Sequence, residues 1–415
     1  MHIIYIIGFS PKFGYLEGNS SLKRADKIWK NNIGQDIGIW KEDWGNQLGF
    51  ELKKKYPEIE YEVWRPDVRA DKVYKHIFEN GVINKSFPTN EGIYMSGFRP
   101  VRDIYSLAME KELSNYLAKK RNIRIILPAV RKKITLRISK LFSYSTNIIN
   151  IHFLNCAMFF PKPVYLKNPI RFFHNYLKYK QQYYFTQSFK KLVVGHREHI
   201  DSISKYLNGK VFFNTFGTDL SYWIKVKTKQ DARSELKLPQ NRKIFLLSSR
   251  LCKEYQILKV LELINRLKIN NIYFIFTSQG DNDYMKSIYK AIEKYELKNY
   301  VNLIGYVDKD ILRDLYIASD YFFMSSTLNA GPMSSFIAIL MEIPIISTDS
   351  GLAAEILKDN AAGLILKSSN INHWQIEFDK LINNTSTISL LDKSHVYELF
   401  NWNTVIDKWI KIFNE

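Results

Sequence analysis

The chain has no run of roughly 18 apolar residues, so nothing in it reads as a membrane span. Its two cysteines, Cys156 and Cys252, are too few for a disulfide framework and fit a reducing cytosol. There is no low-complexity segment and no short-period repeat, which excludes solenoids and compositional linkers. The opening residues Ile3 to Ile7 are too few, and lack the basic flank, for a secretion signal. They read as a first buried strand. The last absence is local: from Leu113 to Arg197 there is no Asp or Glu, in a chain of net charge +19.

That acid-free stretch holds 17 Lys and Arg, nine of them between Lys119 and Lys140 among Ile125, Ile126, Leu127, Val130, Ile134, Leu136 and Ile138. Aromatic residues crowd the remainder, including Phe159, Phe160, Phe172, Phe173, Tyr176, Tyr179, Tyr183, Tyr184 and Phe185. Basic side chains interleaved with rings suit an anionic bilayer surface, at about 1 kcal/mol per basic residue near it. Nucleic acid attracts the same charges, and its bases stack on rings. A merely basic surface in a Lys-rich chain is the third reading. The membrane surface is preferred and nucleic acid disfavoured.

What is present is a folded α/β chain. Apolar content of 46% and charged content of 24% are those of a globular protein, and 415 residues exceed one ordinary core. Strands are expected at Ile3–Gly8, Tyr61–Trp64, Gly92–Ser96, Asn147–Phe153, Pro163–Leu166 and Lys191–Gly195. Helices are expected at Trp40–Lys55, Val101–Lys119 and Glu198–Leu207. A second series begins near Val211, with strands at Lys243–Ser248, Ile272–Thr277, Val301–Ile304, Tyr321–Met324 and Pro344–Ser347. Helices Gln256–Lys268 and Asp283–Tyr295 lie between those strands. Such alternation predicts two parallel-sheet domains flanking a cleft, 1–208 and 209–397. Ligands of open parallel sheets bind beyond the carboxyl ends of strands, which directs attention to the loops after Ser248, Thr277, Ile304 and Met324.

The loop after Met324 carries Gly331 and Pro332 and leads into a short apolar helix expected from Ser334 to Met341. Ser334 and Ser335 are placed to cap it, and Met333 lies beside them. A helix start behind a glycine-containing loop offers unpaired N–H donors and partial positive charge, a site for phosphate. An ordinary connection in a parallel sheet has the same local sequence. The loop with Gly14 would let backbone approach a phosphate group for lack of a side chain, or is simply a turn.

Several segments of the second half, taken in order, resemble the retaining glycosyltransferases of the GT-B fold, family four in particular. Leu192–His196 resembles the strand whose loop faces the acceptor side. Asn214-Thr215-Phe216-Gly217-Thr218-Asp219 is similar to the family's Asn-Gly-x-Asp segment at the domain junction. Ser248-Ser249-Arg250-Leu251 resembles its Gly-Arg-Leu phosphate clamp, and Gln279-Gly280-Asp281 matches its Gly-x-Gly turn in part. Val301–Tyr306, Leu312–Met324, Ser350–Glu355 and Gly363 continue the series, and Asn401-Trp402 fits the helix that crosses back to the first domain. The order and spacing carry the resemblance, since each match alone is short. It covers residues 190 to 410 well and the first half loosely.

The resemblance implies an α/β GT-B fold, two Rossmann-like parallel-sheet domains facing a central cleft, with a C-terminal helix at 398–415 returning to the first domain. It implies transfer of a sugar, with retention, from a nucleotide-diphosphate sugar to a glycan or lipid-linked acceptor in surface polysaccharide synthesis of O-antigen or capsule type. It implies no metal, and no Asp-x-Asp or His cluster is read as suggesting one; the nucleotide sugar is a co-substrate, so no cofactor is expected. Donor contacts would come from Gly14, Gly217, Arg250, Gly280, Asn329, Gly331, Met333, Ser334, Ser335 and Ile337. Catalytic roles would fall to Arg250, Lys253, His152 and Asn329, with His174 and His196 as weaker candidates.

Two departures matter. Family members carry a pair of glutamates eight positions apart, and here those positions hold Asn329 and Ile337. An amide still donates and accepts toward a sugar hydroxyl, whereas Ile337 cannot bond a ribose. The family's clamp lysine falls on Tyr255, with Lys253 two residues earlier. These losses keep a catalytically inactive GT-B scaffold or partner subunit as the alternative. A GT-B epimerase lacks its set of acidic and basic groups here. The preferred placement is cytoplasmic, peripheral to the inner face of the membrane through the basic aromatic 113–197 region.

Overall fold

The computed structural model describes the chain except residues 8–43, 68–69, 97–98, 120–121, 128–132, 143–147, 155–167, 187–189, 196, 198–199, 201–203, 205–209, 268–270, 279, 281, 306, 328–332 and 368–369. The expected strand Pro163–Leu166 lies outside the described residues, as does nearly all of the expected helix Glu198–Leu207. The chain divides into two units, Met1–Gly217 with Trp402–Glu415, and Thr218–Asn401.

In the first unit the strands are β1 (His2–Ile6), β2 (Glu60–Pro66), β3 (Tyr74–Ile77), β4 (Ile83–Phe87), β5 (Asn90–Ser96), β6 (Arg99–Tyr105), β7 (Ile123–Leu127), β8 (Ile148–Leu154), β9 (Lys191–Val194) and β10 (Lys210–Phe213). Eight of them form one sheet in the order β10-β9-β8-β7-β1-β2-β4-β3, parallel except for β3 against β4. Successive side chains of a strand face opposite ways. Ile3 and Tyr5 of β1 therefore join one core with Trp409 and Phe413 of the helix Trp402–Asn414. Ile4 and Ile6 join the other with Met109, Leu113, Ile134 and Ile138. The helix Trp44–Lys55 lies so close to the sheet that a Cβ on Gly49 would come within 2.4 Å of the Tyr61 ring.

Three expectations for this unit are corrected. Val101–Lys119 is not one helix: Arg99–Tyr105 pairs antiparallel with β5, and the helix starts at Leu107. Ser106 marks the break, its hydroxyl accepting from the Met109 N–H at 3.2 Å as an N-cap. The strand expected to open the second series, near Val211, is the edge strand β10, paired parallel with β9. The apolar residues among the Lys119–Lys140 cations are largely core: Ile125, Ile126 and Leu127 are 0% exposed in β7. Ile134 and Ile138 are buried in the helix Lys133–Phe142. Their spacing follows a strand and a helix, so these side chains cover the sheet and present nothing to a bilayer.

The second unit has β11 (Lys243–Ser248), β12 (Ile272–Thr277), β13 (Val301–Gly305), β14 (Tyr321–Met324), β15 (Ile345–Thr348) and β16 (Leu364–Leu366). All are parallel, in the order β13-β12-β11-β14-β15-β16. Continuous apolar runs such as Ile244–Leu247, buried throughout, belong to a sheet covered on both faces. Helices Ile257–Leu267 and Asn282–Lys294 stand where the sequence places them. Among the described residues no helix is long and apolar enough to cross a membrane.

Candidate functional site

Counted in chain order, the second sheet reads third, second, first, fourth, fifth, sixth strand. The order reverses between β11 and β14, and connections leaving a reversal point part to opposite faces, opening a crevice at the carboxyl ends. From β11 the chain passes through Ser249, Arg250, Leu251 and Cys252 into a 3₁₀ turn, Lys253–Tyr255. From β14 it passes through Ser325, Ser326 and Thr327, and the helix Met333–Leu340 follows.

The two loops are laced together. The Ser325 hydroxyl donates to the Tyr255 carbonyl at 2.5 Å, and Gln256 Nε2 donates to the Ser325 carbonyl at 3.1 Å. Thr327 donates its N–H and its hydroxyl to the Glu254 carbonyl at 2.7 and 3.0 Å. From beyond β15, the Ser350 hydroxyl donates to the Ser326 carbonyl at 2.7 Å. Tyr255, where the resemblance would put a clamp lysine, is buried at 6% exposure, and Lys253 is exposed two residues earlier. Of the two, Lys253 can reach a ligand. Arg250 is exposed as well.

Glu254 feels the charge of both cations. Its carboxyl is held below the usual range by the Cys252 thiol and by its own backbone N–H, with the charges of Arg250 and Lys253 adding to the effect. Burial and the Glu254 carboxylate push the Cys252 thiol up to about 11, so it stays protonated and is no nucleophile at neutral pH.

The helix begins at Met333, so Ser334 and Ser335 sit inside its first turn and do not cap it. Their hydroxyls are buried and have no hydrogen-bond partner among the described residues, and Ser335 is 0% exposed. The Tyr316 hydroxyl donates to the Ser334 carbonyl at 2.9 Å and braces this turn from below. Burial pushes the Tyr316 phenol strongly up, which keeps it a donor. Leaving a buried hydroxyl unmet costs about 1–3 kcal/mol. An anion at the helix start would meet such donors together with first-turn N–H groups.

Gly280 follows β12 and backs onto the same loop: a Cβ there would lie 1.9 Å from the Leu251 carbonyl oxygen. Gly280→Ala is therefore expected to displace the Arg250–Leu251 backbone and to cost the second unit about 1–3 kcal/mol by overpacking. Calorimetry would read this as a lowered transition of that unit. An unchanged transition would show that the loop yields freely.

Arg250, Lys253, Gly280, Met333, Ser334 and Ser335 thus gather at the carboxyl edge of one sheet. Ile337, 6% exposed, packs in the apolar helix and offers a ligand no polar group. Gly217 belongs to the first unit, where a Cβ would come within 2.2 Å of the Trp402 ring; close packing explains this glycine. His152 is in β8, paired with Leu127 and Leu192, and His174 is half-buried in the helix Pro169–Thr186. Gly14, His196, Asn329 and Gly331 lie outside the described residues.

The sequence reading passed over Glu254, Gln256 and the Ser325–Thr327 run. Polar residues directly after a buried strand were the available signal. It also passed over two Asp-x-Asp triplets, 281–283 and 308–310. Asp283 pairs with Lys286, Asp308 stands at the N-cap of the helix Lys309–Ala318, and Asp310 accepts from the Tyr222 hydroxyl at 2.6 Å.

Residues 228–394 match the family model described as Glycosyl transferases group 1. No curated protein matches the chain by sequence. Among solved structures it is similar to sucrose-phosphate synthase from Thermosynechococcus elongatus, at 14% identity over 100% of this chain and 98% of that one, with a TM-score of 0.71. It is similar to HepE from Anabaena in complex with UDP-glucose, at 12% identity over 100% and 99%, TM-score 0.67. A glycosyltransferase from Rickettsia africae ESF-5 matches at 14% identity over 99% and 97%, TM-score 0.65. At these identities the likeness establishes the fold.

Proposed function

Residues 228–394 form a glycosyl transferases group 1 domain in a glycosyltransferase of the GT-B fold, and from that premise we propose how the chain works. It moves a hexose from a nucleotide-diphosphate sugar to a glycan or lipid-linked acceptor, with retention, in surface polysaccharide synthesis of O-antigen or capsule type. The observation that carries the donor assignment is the reversal point of the second sheet, where exposed Arg250 and Lys253 and the start of the helix Met333–Leu340 come together. HepE has been solved with UDP and with UDP-glucose, which supports a uridine nucleotide as the first donor to test.

In the transfer, the bond from the anomeric carbon to the diphosphate oxygen breaks, and the diphosphate leaves with the electron pair. The acceptor hydroxyl oxygen forms the new bond and gives up its proton. Charge builds on the leaving oxygens, so preorganised positive groups there lower the barrier most. Arg250 and Lys253 supply charge, and the first-turn N–H groups with the Ser334 and Ser335 hydroxyls supply hydrogen bonds. Asn329 would orient the sugar, and Gly14 and Gly331 would let backbone approach the donor. His152, on the first unit, is assigned to the acceptor hydroxyl. No metal enters this scheme. The protein would work at the cytoplasmic face of the membrane, held by the basic aromatic 113–197 region.

Thermal unfolding with a panel of nucleoside diphosphates tests the donor site. A ligand at about 100 times its Kd should add about 2.7 kcal/mol to the stability of the unit that binds it. A shift with one base, lost in Arg250→Ala, supports the reading. No shift with any nucleotide at saturating concentration would sink it.

A further inference from the structure

Of the acid-free stretch, burial removes most of the Lys119–Lys140 apolar residues as a contact surface, because they form the core of the first unit. The helix Pro169–Thr186 remains. Its start is well defined: Pro169 occupies the first position, and the Asn168 side chain accepts from the Arg171 N–H at 3.0 Å. Near that start Ile170 is 76% exposed and Phe173 53%.

At 1.5 Å per residue the helix is about 27 Å long. Phe172, Tyr176, Tyr179 and Tyr183 recur at helical spacing, with successive ring centroids 6.2, 6.5 and 6.4 Å apart. The Lys180 ammonium lies over the Tyr176 ring at 5.8 Å and the Tyr183 ring at 6.0 Å. Arg171, Lys178 and Lys180 are its cations, and it has no acidic residue. A helix with exposed apolar side chains at its start, a row of rings and charge of one sign is suited to the headgroup region of an anionic bilayer.

We propose that the helix Pro169–Thr186 is the element that docks the protein on an anionic lipid surface. Ile170 and Phe173 enter the interface, the tyrosines lie at headgroup level, and Arg171, Lys178 and Lys180 bind lipid phosphates. This deepens the membrane-surface reading given above and rests on it. Charge complementarity selects the occupant, since a neutral partner gains nothing from a helix and flanks devoid of acid.

The test is cosedimentation of the full chain with vesicles of phosphatidylcholine alone, or of phosphatidylcholine and phosphatidylglycerol in equal parts. Wild type should partition onto the anionic vesicles and be released by salt. Each basic residue near such a surface contributes about fivefold, so Arg171→Gln, Lys178→Gln and Lys180→Gln together should weaken partitioning about 100-fold. Ile170→Ser with Phe173→Ser should weaken it too. The same three-charge change on the second unit, Lys286→Gln, Lys290→Gln and Lys294→Gln, should leave it unaltered. Circular dichroism and nucleoside diphosphate binding should match wild type in every variant.

If wild type ignores anionic vesicles, the membrane-surface reading itself falls. If it binds and the helix variants bind as well as wild type, or the control variant loses as much, the assignment to this helix is overturned. Saturable binding of a soluble glycan, lost in Phe173→Ser, in place of vesicle binding would make the strip a sugar platform and would equally overturn the proposal.

Discussion

Arg250→Ala is expected to lower the rate of sugar transfer by about a hundredfold to a thousandfold, the range for removing one preorganised group from a developing oxyanion. The residue is exposed at the carboxyl end of β11, so its loss leaves no cavity in the core. The unfolding transition of the second unit should be unchanged. Arg250→Lys should recover only part of the rate, because an ammonium cannot bond two diphosphate oxygens as a planar fork does. Nucleoside diphosphate release, followed under donor saturation, separates this from a simple loss of affinity. A turnover equal to wild type would place the leaving group elsewhere.

Truncating Lys85 to alanine is expected to destabilise the first unit by about 3–5 kcal/mol, the cost of removing one partner from a buried ion pair. Lys85 is 5% exposed and Glu62 2%. The Lys85 ammonium lies 2.9 Å from Glu62 Oε2, and donates at 2.7 Å to both Glu112 and the Tyr116 hydroxyl. Trp64 Nε1 donates to Glu62 at 2.6 Å, and the Tyr116 hydroxyl donates to the same carboxylate at 3.0 Å. Without Lys85 a carboxylate stays buried with its main counter-charge gone. Hydrogen exchange of peptides from β1 and β2 would rise, with β11 peptides as an internal control. The double change Glu62→Gln with Lys85→Met should recover much of the loss, since it leaves no buried charge.

The same network sets a pH dependence. Burial alone would raise the Glu62 carboxyl, but the His2 hydrogen bond, the Lys85 charge and bond, and the Trp64 N–H outweigh it and hold the carboxyl at about 2, against an ordinary 4.5. A lowered carboxyl contributes stability that is fully present above its unfolded value. It is lost as pH falls from about 4.5 through about 2. Protection of β1 and β2 should fade across that window in wild type, and much less in the double variant.

The second unit was largely legible before any coordinates. Strands Lys243–Ser248, Ile272–Thr277 and Tyr321–Met324 carry apolar runs bounded by polar loops, and their ends agree residue for residue. The first unit was less so. Tyr74–Ile77 and Ile83–Phe87 are short, with Lys75, His76, Asn84, Lys85 and Ser86 among their few apolar residues. Nothing local marks such segments as strands; their neighbours in the sheet do. Arg99–Tyr105 looked helical because it runs into a true helix, and only its pairing with β5 decides otherwise. Ile125–Leu127 read as part of a basic face because the cations beside them are plain in the sequence and the sheet that buries them is not.

By itself, then, the sequence determined the two alternating α/β series, the strand-end loops after Ser248, Thr277, Ile304 and Met324, and the concentration of positive charge in one stretch. These rest on period, apolar runs and composition, which are properties of adjacent residues. Tertiary structure alone decided that Lys253 and not Tyr255 is presented, that Ser334 and Ser335 lie within the helix as buried hydroxyls, and that Gly280 is pressed against Leu251. It also decided which apolar residues of the basic stretch are core and which, at Ile170 and Phe173, remain exposed. Those outcomes depend on what packs against each side chain from elements far away in the chain, and no local pattern encodes that neighbour.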